Sequence, residues 1–216
     1  MIKLSKYKHI IWDWNGTLLD DRWLCIEAIN YVLKSRNMPL VSNKDYRNLF
    51  CFPVIEYYKK LGFDFKKEPF PIPGFIEYYK SKFEKCILHN DAKLVLRKIN
   101  ESGVTQSILS AGKQSSLVKW VEHHMIEYIF NQLIGVENEK ADGKVEAGVN
   151  WLKNSHFSSE HILLIGDTIH DGEVSKALGV DCLLVNIGHV STQRLEKTGY
   201  RVLPSLKSIL EFLTIN

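Results

Sequence analysis

The sequence is short of the features that identify several large protein classes. It contains only four cysteines, which are far apart, form no C-x-x-C pair and have apolar neighbours. This distribution predicts buried free thiols and is typical of a reducing compartment. There is also no low-complexity tract, no internal repeat and no apolar run that approaches the length of a membrane span.

An excess of one charge sign is missing as well. The chain has 28 basic and 25 acidic side chains, a formal net charge of +3, and the two signs lie close together along the sequence. Such mixing predicts solvated helix faces rather than a stripe that binds nucleic acid. The first residues lack the apolar core of a secretory signal. We therefore expect a cytoplasmic protein that binds neither nucleic acid nor a membrane, and either a monomer or a homodimer fits.

What the sequence does contain is an alternation of short apolar runs with segments of helical spacing. This alternation predicts an α/β fold with a doubly wound, Rossmann-like parallel sheet. Ligands of such sheets bind beyond the carboxyl ends of the strands, so polar residues that follow the strands are candidates for a site. The predicted strands are 9–14, 106–110, 161–165 and 181–185, with 200–203 as a fifth.

The segment between Leu18 and His89 differs from the rest of the chain. It contains no strand-like run, its apolar residues have helical spacing, and it holds more than half of the aromatic residues. We expect a helical cap domain over residues 19–89 and an α/β core formed by residues 1–18 and 90–216. An insertion directly after the first strand would stand over the ligand-binding edge and act as a lid.

Two of the predicted strand ends carry residues suited to phosphate chemistry. Asp13 follows the first strand, where a rigidly held carboxylate can attack phosphorus and form an aspartyl-phosphate. Gly16 lets the backbone turn and approach a phosphate closely. Ser110, Ala111 and Gly112 follow the second strand, where a hydroxyl and exposed amides can cradle phosphate oxygens. Each segment taken alone is also compatible with an ordinary turn.

Lys144 and the pair Asp167 and Asp171 complete the candidate set. A lysine at a helix start opposes the helix dipole, so Lys144 suits charge balance at a phosphate site better than it suits helix stability. The two carboxylates follow the third strand and would repel each other without a cation, and hard oxygen ligands favour Mg²⁺. His170 lies between them and is interpreted as a loop residue, because histidine is a softer ligand.

In this order and spacing, the four segments resemble the haloacid-dehalogenase-like superfamily, and within it the phosphoglycolate-phosphatase-like branch with a helical cap. The resemblance covers essentially the whole chain. It implies an Mg²⁺-dependent phosphohydrolase that acts on a small phosphorylated metabolite. Asp20 and Asp21 match no role of the family and are interpreted as carboxylates at a helix start.

The resemblance also implies a role for each candidate residue. Asp13 is the nucleophile and a metal ligand, and Lys144 positions the nucleophile and the phosphate. The implied metal ligands further include the backbone carbonyl of Asn15, Asp167, and Asp171 directly or through water. The implied phosphate-binding residues are Gly16, Thr17, Ser110, Ala111, Gly112 and Lys144.

One position departs from the family's pattern. Its phosphatases usually have a second Asp two residues after the nucleophile, which serves as general acid and base, and here this residue is Asn15. A carboxamide cannot exchange protons in this way, and the loss of a general acid–base costs about 10²–10⁴-fold in rate. Three explanations are open. The leaving group needs little protonation, as in an acyl phosphate or a phosphoanhydride; the substrate, water or a cap residue supplies the proton; or Asn15 deamidates, since a glycine follows it.

Two other functions are compatible with the sequence. A protein that binds a phosphorylated metabolite without efficient turnover would explain Asn15, although it would not need the nucleophile. A metal-independent dehalogenase would use Asp13, although it would not need the pair Asp167 and Asp171.

Overall fold

The computed structural model describes residues 2–214. Within these residues, ten strands and ten α-helices are joined by loops and four short 3-10 helices. The strands are β1 (Ile2–Lys3), β2 (His9–Trp12), β3 (Leu19–Asp20), β4 (Ile87–Leu88), β5 (Thr105–Lys113), β6 (Gln132–Val136), β7 (Ile162–Gly166), β8 (Asp181–Val185), β9 (Arg201–Leu203) and β10 (Leu213–Thr214). The helices are α1 (Arg22–Ser35), α2 (Asn43–Leu49), α3 (Val54–Lys60), α4 (Phe75–Lys82), α5 (Ala92–Glu101), α6 (Gln114–His123), α7 (Lys144–Asn154), α8 (Ile169–Leu178), α9 (Thr192–Glu196) and α10 (Lys207–Phe212).

Six of the strands form one parallel sheet in the order β6-β5-β2-β7-β8-β9. The predicted α/β fold with a doubly wound parallel sheet is therefore confirmed. All four residues of β2 and all five of β7 are buried, as expected for strands covered by helices on both faces. From β2 the chain passes first to β5 on one side and later to β7 on the other. This reversal of strand order creates the crevice in which open α/β sheets bind ligands.

The predicted strand 106–110 is too short. β5 continues through Lys113, and its pairing with β6 shifts register between Leu109 and Lys113. Ala111 and Gly112 therefore lie in an irregular strand end rather than in the turn expected after the strand. The irregularity displaces backbone amides from the regular ladder at the edge where ligands bind.

The edge strand β6 was not predicted from the sequence. It is only partly buried, and Gly135 interrupts its short apolar run, so its sequence gave no clear strand signal. The glycine is required by packing, because a Cβ on Gly135 would lie 2.7 Å from Gln114 Cα. Tertiary contact thus determines this strand more than local propensity does.

The expectation that no strand lies between Leu18 and His89 is wrong. β3 and β4 pair antiparallel at the two points where the chain leaves and re-enters the core. Each has only two residues, which is too short for a periodic signal in the sequence. The pair holds the two connecting segments side by side.

Helices α1–α4, which we call the cap, form the inserted helical region. They share an apolar cluster rich in aromatic rings, including Tyr46, Tyr57, Tyr58 and Phe63. The cap is also bonded to the loop that follows β8. The Arg47 guanidinium donates to two carbonyls of that loop, at 2.6 and 2.8 Å, and the Arg47 carbonyl accepts from a backbone N–H of the same loop at 3.0 Å. The cap is thereby held over the carboxyl edge of the sheet.

The four cysteines are free thiols, of which Cys86 is buried and the other three are half-buried. Among residues 2–214, no helix combines the length and apolar character needed to cross a lipid bilayer.

Candidate active site

The candidate nucleophile meets a lysine at the carboxyl end of the central strand. Asp13 directly follows β2, and its backbone N–H donates to the Ile165 carbonyl of β7 at 2.8 Å, which fixes its position. Lys144 is the first residue of α7. Its Nζ lies 2.5 Å from Asp13 Oδ1 and 2.6 Å from Asp171 Oδ1. Three residues predicted from separate segments therefore form one buried ion cluster.

The Thr17 hydroxyl connects Asp13 to a further carboxylate. Its Oγ1 lies 3.0 Å from Asp13 Oδ2 and 2.9 Å from Asp167 Oδ1. The other oxygen of Asp167 accepts from the backbone N–H of His189 at 2.6 Å. A side chain at Gly188 would clash with this carboxylate, so the loop after β8 can approach Asp167 only through a glycine.

The start of α8 orients Asp171. Thr168 caps the helix, and its hydroxyl accepts from the Asp171 backbone N–H at 3.3 Å. In return, Asp171 Oδ2 accepts from the Thr168 backbone N–H at 3.0 Å and from its hydroxyl at 2.7 Å. This reciprocal capping starts the helix and leaves Asp171 Oδ1 directed at Lys144.

Burial and crowding shift the pKa values of these groups in different directions. Burial raises the pKa of Asp13 to about 8; the Lys144 ammonium opposes this rise, and the neighbouring carboxylates add to it. Burial also raises the pKa of Asp167. Burial alone would raise the pKa of Asp171, but Lys144 and the bonds from Thr168 lower it below its usual value. Burial would lower the pKa of Lys144, but Asp13 and Asp171 outweigh it and raise that pKa.

The chemistry of the cluster fits a divalent cation. One oxygen from each of Asp13, Asp167 and Asp171 lies within 4.8 Å of the others, and all three residues are buried. Lys144 supplies one positive charge against three carboxylates, so negative charge is in excess. Burial chiefly raises the pKa values of Asp13 and Asp167, and the neighbouring carboxylate of Asp171 adds to both rises. Mg²⁺ matches both the charge and the hard oxygen donors.

The predicted phosphate-binding segment lies on the adjacent strand. β5 pairs with β2, so Ser110 continues along the edge at which Asp13 is placed. Ser110 is buried, and its hydroxyl accepts from the Gly112 backbone N–H at 3.0 Å. Ala111 and Gly112 line the same cavity as Asp13. The structure thus brings all four candidate segments to one end of the sheet.

A buried network around Asn15 was not predicted from the sequence. Asn15 Nδ2 donates to Asp21 Oδ2 at 2.8 Å and lies 3.1 Å from the Tyr79 hydroxyl, which itself donates to Asp21 Oδ2 at 2.8 Å. Asp21 Oδ1 accepts from the Gly16 backbone N–H at 2.9 Å and lies 3.2 Å from His189 Nε2. Asp21 stands at the start of α1, as interpreted from the sequence, but its side chain makes no capping bond and lies in this network instead.

The network keeps Asp21 charged and orients the Asn15 amide. Burial would raise the pKa of Asp21, but the His189 ring and the bonds from Asn15 and Tyr79 lower it. Burial would lower the pKa of His189, and Asp21 raises it instead. Both N–H groups of the Asn15 amide are directed at Asp21 and Tyr79. Its remaining atom, Oδ1, is an acceptor and faces Gly112, 3.7 Å from where a Cβ on that glycine would lie.

A signal for part of this network was present in the sequence. The fourth predicted strand, 181–185, is followed by Gly188 and His189, and the rule that ligand-binding residues follow parallel strands applies to them as well. Tyr79 gave no such signal, since its place in an aromatic helical pattern indicated only a core position.

The cap and the core enclose a cavity of about 190 Å³ over this site. Asp13, Asn15 and Lys144 line it, together with eight aromatic side chains from residues 46–79 of the inserted helical region. The cavity therefore joins a charged reaction centre to an apolar chamber.

The fold and the site match one protein family. The model of the haloacid dehalogenase-like hydrolase family matches residues 10–185 of the chain. The chain belongs to this family. The resemblance inferred from the four segments is thereby confirmed, including phosphoglycolate-phosphatase-like structural neighbours with a helical cap.

Individual relatives are distant in sequence and similar in fold. The tyrosine-protein kinase PtkA of Mycobacterium tuberculosis is 20% identical over 94% of this chain and 70% of its own length. The solved structure of protein tyrosine kinase A from that organism superposes with a TM-score of 0.82 at 18% identity, over 98% of this chain and all of the other. A predicted phosphatase from Clostridium acetobutylicum has a TM-score of 0.78 at 19% identity, over 95% and 99% of the two chains. The phosphoglycolate phosphatase of Aliivibrio fischeri is 20% identical over 52% of this chain and 50% of its own length.

Proposed function

We propose that this hydrolase is an Mg²⁺-dependent phosphohydrolase that acts on a small phosphorylated metabolite through an aspartyl-phosphate on Asp13. The observation that carries the proposal is the buried cluster in which Lys144 bridges Asp13 and Asp171, with Asp167 beside them. A lone structural ion pair would not need a third carboxylate. An excess of carboxylates next to a candidate nucleophile suits a cation and a phosphoryl group.

Each residue has a role in this proposal. Asp13, Asp167 and the Asn15 backbone carbonyl would hold Mg²⁺, with Asp171 binding it directly or through water. When bound, the cation would neutralise charge on the phosphoryl oxygens. Lys144 donates to Asp13, opposes the rise that burial causes in the pKa of Asp13, and would face the phosphoryl group. The Ser110 hydroxyl would receive a phosphoryl oxygen, and Gly16, Thr17, Ala111 and Gly112 would lie beside the phosphoryl group. The amides of Gly16 and Gly112 are already bonded to Asp21 and Ser110 in this structure.

The reaction proceeds in two displacements. The Asp13 carboxylate attacks phosphorus, the bond to the leaving oxygen breaks, and the leaving group departs with the electron pair. A water oxygen then attacks phosphorus, the bond to Asp13 breaks, and inorganic phosphate and the free carboxylate are formed. The Asn15 amide cannot donate the proton that the leaving group needs, because both its N–H groups are engaged and it does not ionise.

The test is phosphate release from acyl, aryl and alkyl phosphates, with Mg²⁺ and with EDTA, by the intact protein and by Asp13→Asn. We expect turnover that requires Mg²⁺ and falls by about 10⁴-fold or more in Asp13→Asn, as when a nucleophile is removed. Asp142→Asn, which alters an exposed carboxylate, is the matched control and should retain activity. Acid-quenched protein should carry one phosphoryl group, and Asp13→Asn should carry none. Turnover that survives in Asp13→Asn would contradict the proposal.

A catalytically weak binding protein is the second candidate, and the engagement of Asn15 with Asp21 favours it. It predicts tight binding of a phosphate ester by folded protein with no phosphate release from any substrate. A metal-independent dehalogenase is a third candidate, and the excess of buried carboxylate speaks against it. It predicts halide release from a haloacid in EDTA.

A further inference from the structure

The cavity over the site has a lining that selects among phosphate esters. Once a phosphoryl group is placed at Asp13, the rest of the substrate must extend into the chamber under the cap. Much of the wall of that chamber is aromatic, with contributions from Phe50, Phe52, Tyr57, Phe70, Phe75 and Trp120, and the rest includes polar side chains such as Ser116 and Asn138. The aromatic side chains favour a flat apolar group and offer few hydrogen bonds to a polyhydroxylated one.

The aromatic walls are packed as a preformed surface. The rings of Phe50 and Tyr57 meet edge to face at 5.4 Å, and Tyr58 meets both Phe70 and Phe75 at about 6 Å. Packed rings keep their positions at little entropic cost when a ligand binds. Outside the reaction centre, the charged residues of the lining are exposed, and two of them, Lys80 and Glu139, form an ion pair at 2.6 Å.

The Tyr57 hydroxyl is a buried polar group next to these aromatic walls. Tyr57 is buried, it lines the cavity, and its hydroxyl has no hydrogen-bond partner among the described residues. The other buried tyrosines that reach the reaction centre are bonded, Tyr46 to His189 at 3.0 Å and Tyr79 to Asp21 at 2.8 Å. A buried hydroxyl left unpaired is unfavourable, so a polar ligand atom that reached the Tyr57 hydroxyl would be stabilised there. The hydroxyl is covered in this structure, so the neighbouring side chains would have to shift to admit that atom.

The leaving-group chemistry points to the same class of substrate. Asn15 itself offers no proton, which favours a departing oxygen that can leave as an anion. A phenol has a pKa of about 10, whereas the pKa of water, and of an alkanol like it, is about 16. A phenolate therefore leaves far more readily without protonation than an alkoxide does.

We propose that the substrate is an aryl phosphate monoester whose ring lies among the cap aromatics and carries a polar substituent near the Tyr57 hydroxyl. This inference rests on the proposed phosphohydrolase function. The Asp13 carboxylate displaces the aryloxide, which takes a proton from solvent. Water then displaces Asp13 from phosphorus and passes its proton to the phosphate or to solvent. The balance is one aryl phosphate and one water giving one phenol and one inorganic phosphate.

The first experiment separates the ring from the leaving group by comparing four substrates. Phenyl phosphate has both the ring and a good leaving group, benzyl phosphate has the ring with an alkoxide leaving group, acetyl phosphate has only the good leaving group, and glycerol phosphate has neither. We expect phenyl phosphate to have a kcat/KM at least about tenfold above each of the others. A KM for benzyl phosphate below that for acetyl phosphate would locate the ring's contribution in binding.

The second experiment uses Tyr57→Phe, which keeps the ring and removes the unpaired hydroxyl, so it should fold. Among the three hydroxyphenyl phosphates, we expect one isomer to exceed phenyl phosphate by about tenfold in kcat/KM, and Tyr57→Phe to reduce that ratio to about one. Tyr31→Phe, at an exposed tyrosine of the cap, should leave the ratio unchanged.

The outcomes distinguish the two proposals. Equal or faster turnover of acetyl, benzyl or glycerol phosphate would overturn the aryl assignment and leave the phosphohydrolase intact. Absence of turnover on all four substrates would overturn the phosphohydrolase. In that case, calorimetry with phenylphosphonate and methylphosphonate still tests the chamber, and equal affinity for the two would overturn the ring site as well.

Discussion

The two ends of strand β2 bury titratable groups in opposite ways. At the carboxyl end, Asp13 is paired with Lys144 and surrounded by further carboxylates. At the amino end, His9 is fully buried, with Nδ1 2.7 Å from Thr105 Oγ1 and with its ring stacked on Phe157 at 4.5 Å. Burial, with a smaller contribution from His156, lowers the pKa of His9 to about 4. The carboxyl end of β2 therefore buries charged groups, and the amino end buries a neutral imidazole ring.

The difference shows what a buried charge requires in this fold. Removing an ion from water is unfavourable unless an opposite charge and hydrogen bonds compensate for it. Lys144, Thr17 and Thr168 provide this compensation at the carboxyl end. The neighbours of His9 are aromatic rings, and among them the uncharged imidazole has the lower free energy. Charge is therefore concentrated at the end of the sheet where chemistry is proposed.

Of the changes at the two ends of β2, removal of Lys144 should have the largest effect on stability. Lys144→Met leaves Asp13 and Asp171 buried without a counter-ion, so we expect the free energy of unfolding in EDTA to fall by about 3–5 kcal/mol at neutral pH. Urea denaturation measures the change. Lys153→Met, at an exposed lysine of the same helix, should stay within about 0.5 kcal/mol of the unaltered protein.

Mg²⁺ and pH give two internal checks on Lys144→Met. A cation that binds the carboxylates should raise the melting temperature of the variant more than that of the unaltered protein. The difference in stability should shrink as acid protonates the carboxylates. Equal stability of Lys144→Met and Lys153→Met in EDTA would mean that Lys144 does not compensate the cluster.

The amino end should respond to pH rather than to metal. Because the pKa of His9 is lowered in the folded protein, His9 is protonated in the unfolded chain but neutral in the folded one between pH 6.5 and about 4. The contribution of His9 to the free energy of unfolding is therefore fully present above pH 6.5. It is lost as pH falls, and the loss is on the order of 3 kcal/mol.

The variant His9→Phe isolates this contribution, because it keeps a ring in the stack and removes the titrating group. The free energy of unfolding of His9→Phe, minus that of the unaltered protein, should increase as pH falls from about 7 to about 4. His161→Gln, at a half-exposed histidine, should show no such trend. A pH dependence that persists unchanged in His9→Phe would show that other groups cause it.

The sequence predicted the carboxyl end of β2 better than the amino end for a physical reason. Strand ends and turns are local features, and the residues after them meet because parallel strands end at one edge. Asp13 and Asp167 could therefore be grouped from predicted strand ends, whereas Lys144 follows the unpredicted strand β6 and joined them through the resemblance to the family. His9 has a local pattern of a strand start, and its stacking on Trp151 and Phe157 depends on a helix and a loop more than 140 residues away.

The network around Asn15 shows the same limit within the site. Asp21 and His189 lie 168 positions apart and meet only because the loop after β8 packs against the start of α1. The resemblance to the family implies that an acid is usual at position 15, and in the structure Asn15 at this position faces the buried carboxylate of Asp21. Packing between distant segments, rather than a motif, thus determines which side chain position 15 accommodates.

The smallest change in stability is expected when a charge is added at this position. Asn15→Asp would face Asp21 across the present 2.8 Å hydrogen bond, and burial and the like charge would raise the pKa of the new carboxyl. Because the pKa of the new carboxyl is higher in the folded than in the unfolded protein, the variant loses stability as pH rises. We expect its free energy of unfolding to be about 1–3 kcal/mol below that of the unaltered protein at pH 8, and the difference to disappear toward pH 4. Asn15→Asp combined with Asp21→Asn restores one amide and one carboxylate to the pair, and should recover most of the stability.

The same variant sharpens the assignment of the leaving group. A carboxyl held protonated near neutral pH can donate the proton that Asn15 cannot, so alkoxide leaving groups should gain more than phenolates do. We expect the ratio of benzyl to phenyl phosphate turnover to rise by up to about 10²-fold in Asn15→Asp, the lower end of what general acid catalysis contributes. An unchanged ratio in a folded variant would show that position 15 does not reach the leaving oxygen. The proton balance of the reaction would then have to be sought among the substrate and solvent rather than at the end of β2.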